Sequence, residues 1–145
     1  MGMRQKKIYD PRVMMKFSRY DATVEDDCAV WCLSTLLGVS YERVITSAAH
    51  IDRNGGIGGL TLPQMMVVAE RLGVKLERLN KVDVDLENNT GILSIDLPRD
   101  TKGHVVVLKQ GQIIDTKGYG VSIWDANAYL SSKRAKLGDI LVLAA

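Results

Sequence analysis

The spacing of apolar residues changes once along this chain, at Gly73 and Val74, and that change limits the folds open to it. Before it, apolar side chains recur every three or four residues, the repeat of a helix with one buried face. Ala29, Val30, Cys32, Leu33, Leu36 and Leu37 predict a helix near 27–37, stopped by Gly38. Ser40 can cap a second helix through about Ala49, with Tyr41, Val44, Ile45 and Ala48 on one face. Thr61 and Gln64 form a T-x-x-Q capping box, with Pro63 tolerated in the first turn, and the helix they open carries Met65, Met66, Val68, Ala69 and Leu72. After Gly73 the repeat becomes that of strands. Val74 to Leu76 alternates, Gly91 to Leu97 reads as a half-buried run, and His104 to Leu108 is rich in β-branched residues. Lys109-Gln110-Gly111 separates that run from Gln112 to Asp115, the pattern of an antiparallel hairpin. Trp124 to Ser131 predicts a short helix capped by Asp125, and 139–144 a last strand. Helices first and strands afterwards indicate an α+β fold.

The chain has 145 residues, within the size of one domain, and at that length it can bury about two-thirds of its unfolded surface. With 46% hydrophobic and 25% charged residues it has the composition of an ordered globular protein. No repeat or Pro/Ser-rich linker divides it. Residues 1–22 read as an arm or irregular lead-in, and 23–145 as a single domain. The net charge is +2, and the small basic clusters Arg4, Lys6, Lys7 and Lys133, Arg134, Lys136 read as solvated surface, so nucleic acid is not an expected partner. No signal-peptide pattern opens the chain and no apolar run reaches the ~18 residues of a membrane span. Cys28 and Cys32 fall one helical turn apart, where a disulfide is geometrically poor. The expected setting is a reducing, aqueous one: the cytoplasm, or a virion if the source is a phage.

Cys28 falls in the first turn of the first predicted helix, where unpaired backbone N–H groups and the helix dipole stabilise a thiolate. Glu25, Asp26 and Asp27 oppose this if they turn toward the sulfur, so the thiolate needs a cationic partner. Of the two histidines, His50 follows the second helix beside Asp52-Arg53-Asn54 and reads as surface. His104 opens a β-rich run directly after Gly103, and the hairpin brings Asp115 near it. A cysteine nucleophile requires a base within hydrogen-bond reach and a group that orients the base, and Cys28, His104 and Asp115 supply the three.

Two other chemistries can be drawn from the same residues. Cys28, Cys32, His104 and Asp115 include zinc-ligand types, but their spacing is not that of a familiar structural site, and Cys32 reads as a small buried hydrophobe. The run Asn54-Gly55-Gly56-Ile57-Gly58-Gly59 precedes a helix but lacks the G-K-[ST] ending of a phosphate loop, and reads as a loop bordering a groove. Met65 and Met66 read as core filling. No metal and no cofactor is expected.

Asp27-Cys28-Ala29-Val30-Trp31-Cys32-Leu33, the helix ending Leu36-Leu37-Gly38, Gly59-Leu60-Thr61-Leu62 with Leu72-Gly73-Val74, and Gly103-His104-Val105-Val106-Val107-Leu108 followed by Ile114-Asp115 resemble the papain-like cysteine peptidases that process double-glycine leader peptides of bacteriocins. The resemblance covers about residues 20–145 and is closest to small standalone members. It implies a papain-like fold, with N-terminal helices packed on a C-terminal antiparallel sheet, and a peptide or protein substrate. It also implies Cys28 as nucleophile, His104 as base and Asp115 as the residue that orients the base. The family's glutamine, about six residues before the cysteine, has no counterpart here, where position 22 is alanine, and Ala29 stands where the family often has glycine. Oxyanion stabilisation then falls to the backbone N–H of Cys28 and the Thr23 hydroxyl. The alternative is a peptidase-like module retained for binding or structure, for example in a phage particle.

Overall fold

The computed structural model describes residues 5–8, 28–51, 60–98, 100–115 and 121–144. Seven strands among them form one antiparallel sheet: β1 (Gln5–Ile8), β2 (Leu76–Leu79), β3 (Thr90–Leu97), β4 (Asp100–Lys109), β5 (Gln112–Asp115), β6 (Val121–Asp125) and β7 (Lys136–Leu143), in the order β1-β6-β5-β4-β3-β7-β2. The four helices of the described residues are α1 (Cys28–Leu37), α2 (Tyr41–Ser47), α3 (Leu62–Arg71) and α4 (Ala126–Lys133). The class is α+β, as the order of sequence patterns predicts.

Both faces of the sheet are covered, which explains why the central strands are apolar runs rather than alternating ones. Ile92, Val107 and Leu141 point into a core shared with Val30, Leu33, Val44, Met65 and Val68 of α1 to α3. Their neighbours Leu93, Val106, Leu108 and Ile140 point the other way, into a second core with Trp124 and Tyr129. No single helix among the described residues is long and apolar enough to cross a membrane, and the apolar α1 packs its Ala29–Ser34 stretch inside the first core.

Local chemistry sets the element ends. Gly38 and Gly73 take positive φ at the ends of α1 and α3. Ser40 caps α2 by accepting from the Arg43 N–H, and Thr61 and Gln64 close the reciprocal capping box of α3. The β4–β5 hairpin turns on two residues, Gln110 (φ 43°) and Gly111 (φ 87°), the positive-φ pair that matches strand twist. Arg71 of α3 donates to the carbonyls of Ser47 and Ala49, tying it to the end of α2.

Several elements differ from the sequence reading. Residues 5–8, placed in the lead-in, form edge strand β1 against β6, held by backbone bonding that a Gln-Lys-Lys-Ile stretch does not advertise. Trp124 lies in β6, not in the following helix, because 121–125 pairs with both β5 and β1; Asp125 ends the strand and caps α4. β4 and β7 begin earlier than predicted, at Asp100 and Lys136, each paired with the far end of β3.

Gly91 shows how closely the centre of the sheet is packed. It pairs with Leu108 and Val142, and a Cβ there would overlap the Leu141 carbonyl oxygen. Gly91→Ala is therefore expected to destabilise the fold by about 1–3 kcal/mol or more, because neither strand can move aside without disturbing a third. Urea denaturation would measure it, and a loss below about 0.5 kcal/mol, typical of a surface change, would refute the packing argument.

Candidate active site

Cys28 is the first residue of α1 and is half-buried, at the end where the helix leaves its backbone N–H groups without intrahelical partners. One turn on, Cys32 is 1% exposed, and its Sγ donates to the Val105 carbonyl at 3.7 Å. Val105 follows His104, so this contact sets the first turn of α1 beside the histidine.

His104 is delivered by an irregularity in β4. It pairs with Ile95, whereas the next pair toward the hairpin end is Leu97 with Asp100, so Asp96 alone faces residues 101–103. Gly103, at φ 81°, absorbs the distortion where a side chain would be strained, and the strand re-enters regular pairing at His104. On the other side, Val107 pairs with Ile114, which puts Asp115 next to Val106 and makes it the diagonal neighbour of His104. His104 Nε2 lies 2.9 Å from Asp115 Oδ1, with the two side chains 10% and 4% exposed. Asp115 Oδ2 accepts a second hydrogen bond, 2.8 Å long, from the hydroxyl of Tyr129 on α4.

Electrostatics separate these groups by role. Burial works against charge on His104, but hydrogen bonds and negative charge from Asp115 and Cys28 outweigh it and raise the ring's pKa to about 10. The ring thus holds its proton at neutral pH. With Nε2–H turned to the carboxylate, Nδ1 is the nitrogen left for the Cys28 thiol. Burial pushes the Cys32 thiol well up, reinforced by the charges of Cys28 and Asp115, so this cysteine stays a protonated core residue. Burial, then Asp115, also raises Tyr129, which keeps its phenol a donor.

Of the residues singled out in the sequence, Cys28, His104 and Asp115 come together. His50 is exposed beyond α2, at φ 66°. Met65 is fully buried, with Met66 against the same core. Thr23, the acidic cluster Glu25-Asp26-Asp27 and the run 54–59 lie outside the described residues. Among the described residues no group of three or more His, Cys, Asp or Glu side chains is placed to hold a metal ion. Sequence reasoning missed Tyr129, for which the only local signal was its place in a helix capped by Asp125.

The charge on His104 gives the pair a pH signature. Folding raises its pKa from 6.5 to about 10, so the stability it contributes is fully present below pH 6.5 and is lost as pH rises through about 10. The wild type should lose unfolding free energy across that window, and Asp115→Asn should lose less and titrate its ring at lower pH by NMR. A ring midpoint that Asp115→Asn leaves unmoved would refute this assignment.

No protein-family model matches the chain, and no curated protein matches its sequence. The geometry of the site carries the functional reading.

Proposed function

We propose that this protein is a papain-like cysteine peptidase that cleaves a peptide bond through Cys28, His104 and Asp115. The observation that supports this most is a histidine held at Nε2 by a buried carboxylate, whose proton affinity the helix-terminal Cys28 helps to raise. That is the arrangement thiol catalysis requires: a nucleophile, a base in reach, and a group that fixes the base.

In this reading the proton that His104 holds at Nδ1 is the one the Cys28 thiol has given up, so the pair is thiolate–imidazolium before substrate arrives. The Cys28 sulfur attacks the scissile carbonyl carbon, and the oxygen gains the charge, facing the backbone N–H of Cys28 at the open end of α1. Collapse breaks the C–N bond as His104 returns its proton to the leaving amine. Water then attacks the thioester, giving its proton to His104, and the C–S bond breaks to release the acid and regenerate the pair. Asp115 keeps the imidazole oriented and supports its charge throughout. Transfer of the acyl group to an acceptor other than water would use the same groups.

The absence of a glutamine from the segment before Cys28 favours a second reading, a peptide-binding module without turnover. Alkylation separates the two. In the native protein at neutral pH, iodoacetamide should modify Cys28 and spare the buried Cys32, as read by mass spectrometry, and His104→Ala should slow modification of Cys28 by about tenfold or more. Cys28 that is inert, or equally reactive without His104, would exclude the peptidase reading and leave the binding one.

A further inference from the structure

We infer that Tyr129 is a fourth member of this site, a positioning residue that holds the Asp115 carboxylate by Oδ2 so that Oδ1 stays turned to His104. Its functional meaning rests on the peptidase reading above, whereas its effect on His104 can be measured without it.

The carboxylate has two oxygens to satisfy and almost no contact with solvent. His104 engages one at 2.9 Å, and the Tyr129 hydroxyl engages the other at 2.8 Å. The phenol is fully buried, and its ring meets Trp124 edge-on, with centroids 5.6 Å apart and planes at 83°. Phenylalanine would make the same ring contact, so packing alone gives no reason for the hydroxyl.

Trp124 is itself fixed. Its Nε1 donates to Ser122 Oγ at 3.1 Å, Ser122 is the register partner of Asp115, and Lys133 lies 5.2 Å over the indole. The start of α4 is tied to the β4–β5 turn by Ala126 N–H donating to the Gly111 carbonyl at 2.9 Å. The hairpin that carries His104 and Asp115 thus anchors the helix that returns Tyr129 to Asp115. This closed circuit fixes the carboxylate from the side away from the histidine.

Two donors on one carboxylate compete for its charge. Tyr129 draws part of it away from the ring and limits how tightly His104 keeps its proton, which matters at the step where that proton must pass to a leaving amine. Removing the hydroxyl leaves more of the charge to His104, and strengthening the donor takes more away.

The test follows the His104 ring by NMR through its titration in the full chain, comparing wild type with Tyr129→Phe and with 3-fluorotyrosine installed at position 129. Circular dichroism confirms that each is folded. Tyr129→Phe should raise the ring's midpoint by about half a pH unit or more, and the more acidic phenol should lower it. Midpoints unmoved in both variants, or moved in the reverse directions, overturn the role of Tyr129 even if thermal stability drops. If wild-type alkylation is independent of His104 while the midpoints shift as stated, the peptidase reading fails and the positioning of Asp115 stands.

Discussion

A carboxylate cut off from water keeps its charge only where the protein replaces the lost solvation, and Asp115 imposes that demand on everything around it. One oxygen is met by His104 from the neighbouring strand, the other by Tyr129 from the only helix described on that face of the sheet. Each donor arrives by a separate route, and each route constrains backbone. The β4 irregularity at Gly103 serves the first; the β5–β6 pairing and the Asp125 cap serve the second. The same charge raises the proton affinity of His104 and Tyr129 alike, and Cys28 adds to both.

The two cysteines show how one helix can hold opposite chemistries within a single turn. Cys28 sits half-open at the helix end against a histidine, whereas Cys32 is sealed in the first core and bonded to a strand carbonyl. Burial alone makes the second an anchor. That anchor has a mechanical role, since it fixes α1 along β4 and so sets the separation between the Cys28 thiol and the imidazole. A polar or larger residue at position 32 would disturb the site without touching it.

Much of this is legible in the amino-acid sequence because it depends on interactions between residues near one another along the chain. The helices α1, α2 and α3, their caps and their glycine stops follow from spacing and from side chains within one turn of the element end. The hairpin is equally legible, and with it the approach of Asp115 to His104. The features that escape a sequence reading depend on distant partners. β1 carries no apolar pattern and is held as a strand by its bonds to β6. Trp124 reads as helix because it stands next to a cap, while the pairing that makes it a strand residue comes from β5 and β1. Tyr129 resembles any helical aromatic, since its hydrogen bond crosses from α4 to the sheet.

The strand order has a consequence for how the molecule comes to exist. β7 lies inside the sheet, between β3 and β2, although it is the last strand in the sequence. As a chain leaves the ribosome amino end first, β2 and β3 emerge long before the strand that joins them, and neither can complete its hydrogen bonding until β7 inserts. Cys28 emerges earlier still, seventy-six residues ahead of His104. During synthesis the thiol is thus present before His104, and the sheet that carries the histidine closes only once β7 has been made. The topology keeps the Cys28 sulfur apart from the histidine through the period when unfolded polypeptide is crowded around it.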